Sequence, residues 1–238
     1  MQHISLDNLL LIDIETVSEH PDHASLPDEW KELWQEKTGK YLPENTTAEE
    51  YYPMRAAILA EFGKVVCISI GYFKKENGEC RLRVKSVYGH DEKELLNNFC
   101  HIIRSFGPQV KWCFGGHNIK EFDIPFLCRR MVINNIEIPA CMDFHGMKPW
   151  EAPVLDTLHL WRFGDYKHYI SLKLLAAVLG VPSPKTDIDG SKVGGVYWKE
   201  NDLERIAHYC QKDVATVAHV IFRFKNMPLL SEEQIVYV

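Results

Sequence analysis

Residues 9–14 read Leu-Leu-Leu-Ile-Asp-Ile, an apolar run broken by one carboxylate, and Glu15 follows at once. A run this apolar predicts a strand buried on both faces. "KVVCISIGYF" (64–73) predicts a second buried strand, and "CRLRVKSVYG" (80–89) alternates like a partly exposed third. Asn77-Gly78 between them is a hairpin turn signal. The period then lengthens. "DEKELLNNFCHIIRSFG" (91–107) predicts an amphipathic helix, with Asp91 as cap, Glu94 in the capping-box position and Gly107 at its end. "VKWCFG" (110–115) predicts another strand, and "DIPFLCRRMVINN" (123–135) a helix capped by Asp123. A short strand is expected near Ile136 to Cys141, and a helix over 171–180. The last long helix runs from about Asp202 to Phe224, with Asn201 and Glu204 as its expected capping box. This order predicts an α/β domain with a mixed sheet.

One stretch breaks the pattern. Residues 18–57 hold Pro21, Pro27, Pro43 and Pro53 among Trp30, Trp34, Tyr41, Tyr51 and Tyr52. We expect an irregular excursion from a single domain spanning 1–238, with short helices around Asp28 to Glu36 and Thr47 to Ala60. Its aromatics read as core or lid rather than as a base-stacking platform.

Positions two apart on a strand point the same way, so Asp13 and Glu15 sit side by side. Like charges that close repel, and burial removes their hydration. Either a cation is supplied or a proton is taken up. Two further acids stand where they can join this pair. Asp123 opens a helix just after a strand. Asp213 lies four residues after Tyr209, on one face of the last helix. That helix carries an apolar stripe of Leu203, Ile206, Cys210, Val214, Val217 and Ile221, and Asp213 falls on its border. Hard divalent cations such as Mg²⁺ are held by a few carboxylates, waters and phosphate oxygens. Two ions about 3.5–4 Å apart stabilise the attacking and leaving oxygens of an in-line phosphoryl displacement. Cations neutralising Asp13 and Glu15 would let them share a buried strand.

Composition narrows the setting without choosing a substrate. The chain has 238 residues, 46% hydrophobic and 25% charged, with a net charge of −6. That balance shows no general basic surface for nucleic acid, but it leaves room for a local groove charged by metal ions. No apolar stretch approaches a membrane span. The start lacks a basic segment and small-residue cleavage site, so no secretory signal is expected. Seven scattered cysteines without a CxxC pair predict reduced thiols and a cytoplasmic protein. The histidines show no zinc-ligand spacing.

The three acidic stretches, taken in order, resemble the motifs of the DEDD superfamily of 3′–5′ exonucleases. "DIET" resembles D-x-E, "HNIKEFD" resembles N-x-x-x-F-D, and "YCQKD" resembles Y-x-x-x-D of the tyrosine (DEDDy) subclass. The proofreading exonuclease domain of family B DNA polymerases is similar over most of the chain, including "EFGKVVCISIGYF", "VLDTLHLW", "ISLKLLAAVLG" and "DIDGSKV". The resemblance implies an RNase H-like fold and two divalent metal ions, Mg²⁺ or Mn²⁺. It implies that Asp13 bridges both metals, Glu15 and Asp213 complete the nucleophile-side metal, Asp123 holds the second, and Tyr209 orients the attacking water. Thr16, Asn118 and Phe122 are its implied substrate contacts, and Lys185 and Lys192 are expected to contact phosphate because their glycine-bearing loop leads into the last helix. Lys199 stands in the same glycine-bearing loop. Asp156 reads as a cap or structural acid, not a ligand.

His208 lies five before Asp213 and satisfies the histidine-subclass signature. On a continuous helix His208 is about 140° from Asp213 and Tyr209 about 40°, which favours Tyr209. The expected function is a stand-alone exonuclease on single-stranded DNA in preference to RNA, releasing nucleoside monophosphates. No polymerase domain fits in this length, so proofreading would act in trans. An RNA exonuclease uses the same site. A nuclease-like binding module without turnover is the reading from another class, and the complete carboxylate set argues against it.

Overall fold

The structure, a computed structural model, describes residues 5–76, 78–107, 112–182 and 188–238. Strand β1 (Leu9–Ser18) comes first. The excursion follows, carrying helices α1 (Asp28–Thr38) and α2 (Ala48–Arg55) and a 3-10 turn at Ala56–Ile58. Strands β2 (Gly63–Glu76) and β3 (Glu79–Tyr88) pair antiparallel, and α3 (Glu92–Ser105) follows. Then come β4 (Cys113–Gly116), α4 (Asp123–Ile133), β5 (Val154–Asp156), α5 (Thr157–Arg162) and α6 (Leu172–Val178). A short α7 (Val193–Gly195) runs into a π-turn at Val196–Glu200, before α8 (Leu203–Phe224) and β6 (Ile235–Tyr237).

Among the described residues the strands form one mixed sheet in the order β5-β4-β1-β2-β3-β6. β1 is central, antiparallel to β2 and parallel to β4. Its two faces meet different helices. Leu10, Ile12 and Ile14 pack with Leu96 and Phe99 of α3 and Ile124 and Leu127 of α4. On the other face Leu9 and Leu11 pack with Val214, Val217 and Ile221 of α8. Val17 resumes that face against Ile206 and Cys210. Fully burying such a side chain is worth about 1.5–3 kcal/mol. Apolar packing on either side of Asp13 and Glu15 therefore pins the strand beneath α8.

Several local expectations are corrected. Residues 136–139 form no strand. Asn135 turns the chain through a left-handed φ of 57°, and the Ile136 N–H donates to the Met131 carbonyl, closing α4. Ile136 and Ile138 then pack on the core as loop residues, and Val154–Asp156 supplies the edge strand beside β4. Asn201 does not cap α8. It ends the π-turn with a φ of 54°, and the Asp202 side chain caps the helix by accepting from the Arg205 N–H. Asp91 does cap α3, accepting from the Glu94 N–H, and Gly107 follows that helix with a φ of 80°. Asn77 and residues 110–111 of the expected 110–115 strand lie outside the described residues.

The excursion has a core of its own. Trp34 and Tyr52 are fully buried with Leu26, Ala56 and Phe62, and the Trp34 indole N–H donates to the Ala48 carbonyl. Thr47 and Glu50 form a reciprocal capping box at α2. No helix among the described residues is long and apolar enough to cross a membrane. The seven cysteines are free.

Candidate active site

Three elements, β1, α4 and α8, bring the site together. β1 presents Asp13 and Glu15 on the face below α8. The register with β2 shifts between Glu15 and Thr16, a bulge where Glu15 opposes Cys67 and Thr16 opposes Val65. Bulges of this kind re-aim side chains beside active sites. One ligand-capable atom each of Asp13, Glu15 and Cys210 lie within 4.8 Å of one another. The Cys210 thiol donates to the Asp13 main-chain oxygen at 3.3 Å.

Asp123 enters from α4. It is the first helical residue rather than the cap, and Phe122, at the cap position, makes no side-chain capping bond. The Asp123 carboxylate instead accepts from the Ile14 N–H at 3.1 Å, between Asp13 and Glu15 in the chain. Asp156 seats the preceding turn. Its carboxylate accepts from the N–H groups of Asn118 at 2.9 Å, Lys120 at 3.1 Å and Leu158 at 2.9 Å. Asp156 is thus a structural acid and the cap of α5, as its sequence context predicts. His117 braces the same turn through Thr157 and the Ile170 carbonyl, and burial holds its pKa below the ordinary histidine value.

α8 supplies Tyr209 and Asp213, one turn apart on one face of the helix. The helix is continuous through residue 208. His208 is exposed, with its Nδ1 2.9 Å from the Glu204 carbonyl oxygen one turn back. The substrate-side candidates are spread more widely. Thr16 is buried beside Glu15, and Phe122 stacks at a tilt on Phe126 at 5.4 Å. Asn118 takes a left-handed φ of 61°, and its buried Oδ1 has no hydrogen-bond partner. Lys192 lies 3.4 Å from Asp189. Lys185 lies outside the described residues.

The electrostatics of this cluster are unbalanced. Burial first, then the charges of Asp213 and Asp123, hold the Asp13 pKa well above the carboxylate range. Burial and the charges of Asp13 and Asp213 do the same to Glu15. Burial pushes Asp123 up to about 7 and Asp213 up to about 6. Burial and the three acids Asp213, Glu15 and Asp13 raise the Tyr209 phenol, so it stays protonated and able to donate. Asp13 Oδ2 is buried and accepts no hydrogen bond. None of the four acids forms an ion pair among the described residues. An orphaned carboxylate oxygen in a crowd of raised acids fits a hard divalent cation, which would satisfy the oxygen and cancel the repulsion.

A family model described as a predicted 3′–5′ exonuclease related to the exonuclease domain of PolB matches residues 58–234. The chain belongs to this family. The matched span covers well over half of the chain and contains Asp123, Tyr209 and Asp213; Asp13 and Glu15 precede it. The mixed sheet with flanking helices is the RNase H-like arrangement expected of such an exonuclease. Among curated proteins no match is found.

Sequence reasoning placed Cys210 of this exonuclease in the apolar stripe and missed its place against Asp13. The signal was available: Cys210 lies three before Asp213, within the same turn of the helix. It also missed Cys67, whose only sequence mark is membership of a buried strand.

Proposed function

We propose that this protein hydrolyses the last phosphodiester bond at the 3′ end of a single nucleic-acid strand, with two divalent ions, Mg²⁺ or Mn²⁺, held by Asp13, Glu15, Asp123 and Asp213. The observation that carries this reading is the buried acid cluster with no ion-pair partner among the described residues and an orphaned Asp13 oxygen. Divalent ions there supply positive charge to the attacking and leaving oxygens of an in-line displacement. Asp13, which feels the charges of both Asp213 and Asp123, would be the ligand shared by the two ions. Glu15 and Asp213 serve the nucleophile side, and Asp123 the leaving-group side. In this reading Tyr209 orients the attacking water, the role of the tyrosine subclass, and its place one turn from Asp213 on a helix continuous through residue 208 supports it. The water oxygen bonds to phosphorus and the P–O3′ bond breaks. The released nucleotide keeps a 5′-phosphate, and the shortened strand ends in a 3′-hydroxyl after taking a proton from solvent.

The family's relation to the PolB exonuclease domain favours DNA over RNA. The cytoplasmic setting we assign rests on the seven free thiols. Single-stranded DNA and RNA labelled at the 5′ end, incubated with Mg²⁺, Mn²⁺ or EDTA, test the proposal. We expect a ladder shortening from the 3′ end of DNA with either metal and none in EDTA. Faster loss of RNA would make it an RNA exonuclease. Binding without shortening of either strand would make it a binding module.

A further inference from the structure

Two sulfur atoms lie beside the carboxylates, and hard ions take oxygen ligands and leave sulfur aside. Cys67 and Cys210 are fully buried and pack in one cluster with Val17 and Ile206. Cys67 is the cross-strand partner of Glu15, on the same face of the sheet. Cys210 comes down from α8, and its thiol is held 3.3 Å from the Asp13 main-chain oxygen. Of the two, only Cys210 has its sulfur grouped with the acids. That sulfur, one Asp13 oxygen and one Glu15 oxygen lie within 4.8 Å of one another.

As packing, a buried cysteine is a small hydrophobe. This one has two carboxylates for neighbours, and both lack a partner. Glu15 is 7% exposed, and its carboxylate has neither a hydrogen bond nor an ion pair among the described residues. Asp13 Oδ2 is buried without a hydrogen-bond partner. The three side chains therefore form a mixed sulfur and oxygen set, and its chemistry differs from that of the four acids. Thiolate with carboxylate suits Zn²⁺ and its softer congener Cd²⁺. Zn²⁺ bonds thiolate sulfur at about 2.3 Å and carboxylate oxygen at about 2.0–2.2 Å in a tetrahedron, which sets ligand atoms about 3.5 Å apart. Side-chain rotation closes that gap from 4.8 Å.

We propose that Cys210, with Asp13 and Glu15, forms a site for a thiophilic divalent ion, Zn²⁺ or Cd²⁺, that shuts the centre to hard ions. The S–H bond of Cys210 breaks as the sulfur–metal bond forms, and the proton passes to solvent. An ion seated there draws Asp13 away from the pair of hard ions it would share, so hydrolysis stops while the ion is bound. The binding stands on these three residues. Only the inhibition rests on the exonuclease reading.

Cd²⁺ is added to metal-free, reduced protein, and the ultraviolet sulfur-to-cadmium charge-transfer band is followed. Wild type is compared with Cys210→Ala and with Cys80→Ala, a partly exposed cysteine on β3. Thermal melts run alongside. We expect a band that saturates at one equivalent in wild type and Cys80→Ala and is lost in Cys210→Ala. With Mg²⁺ present, the Zn²⁺ concentration that halves each protein's own rate on single-stranded DNA should rise about tenfold or more in Cys210→Ala, the least effect usual for disturbing a metal's shell. If Cys210→Ala melts early, Asp13→Asn replaces it, and the band should weaken there because an oxygen ligand is lost. Wild type without the band, or a folded variant of the site that keeps it in full, overturns the site and leaves the exonuclease reading standing. A band that depends on Cys210, in a protein that hydrolyses neither DNA nor RNA with Mg²⁺, keeps the site and overturns that reading.

Discussion

Glu92 and Glu15 are buried to nearly the same degree, 8% and 7% exposed, yet they are treated in opposite ways. Glu92 is fully partnered. Arg130 reaches it through Nε at 2.8 Å and Nη2 at 2.5 Å, Asn134 donates at 2.9 Å, and the Val65 N–H at 2.7 Å. The same guanidinium donates to the Ala60 carbonyl and to Glu19, which ties the excursion to α3 and α4. Glu15 has Asp13, Asp213 and Asp123 around it instead, and each raises its pKa. The cost of ionising a buried carboxylate is several kcal/mol. At Glu92 the chain supplies the cation that offsets it. At Glu15 it adds more acids. The contrast supports the proposal that the site on β1 receives positive charge from outside.

The sharpest way to break this contrast is to remove one acid from each set. Asp13→Asn should abolish hydrolysis. It should also raise the melting temperature in EDTA at pH 8, because a repelling charge is removed from a crowded site. Wild-type turnover by Asp13→Asn, or a lower melting temperature in EDTA, would contradict the assignment.

Next in size is Tyr209→Phe, which keeps the ring and loses the hydroxyl. An orienting or proton-handling group contributes about 10² to 10⁴ in rate, so kcat should fall within that span with little change in stability. His208→Ala should stay near wild type, because that side chain faces water and bonds only its own helix. Reversed results from these two variants would move the protein to the histidine subclass.

Arg130→Met tests the balanced set. Leaving Glu92 buried without its cation should cost about 3–5 kcal/mol of stability, read by chemical denaturation. A loss well below 1 kcal/mol would show that the pair is not the clamp described here.

The smallest effect concerns pH. Asp213 and Asp123 hold protons in the folded state up to about pH 6 and about pH 7, whereas the unfolded chain releases them near 4. The native state therefore binds more protons across that window, and its stability falls as pH rises through it. In EDTA the melting temperature should drop between pH 5 and pH 8, and added Mg²⁺ should restore it at pH 8. A flat profile in EDTA would remove the electrostatic part of the argument.

The site was legible in the sequence because its signals are local. Asp13 and Glu15 stand two apart inside an apolar run, and Tyr209 and Asp213 share a helix face, so strand and helix geometry alone orients them. The β1, β2 and β3 strands and α8 were legible for the same reason. What escaped depends on tertiary partners. Ile136 and Ile138 look like a strand, but they bury their side chains without a sheet neighbour. Asp123 looks like a cap, but it spends its oxygen on the Ile14 N–H of another element. Asn201 looked like half of a capping box, and the π-turn ahead of α8 moved the cap by one residue. Cys67 gave no sign of lying beside the acids, and Cys210 only its place three before Asp213, because pairing between β1 and β2 and the docking of α8 decide that.

Binding of Mn²⁺ at pH 8, followed calorimetrically with wild-type protein and Asp13→Asn, tests the central claim most directly. The account predicts two sites on the wild type, release of protons as they fill, and loss of tight binding in the variant. Wild-type protein that binds no Mn²⁺, or a variant that binds it equally well, would contradict it.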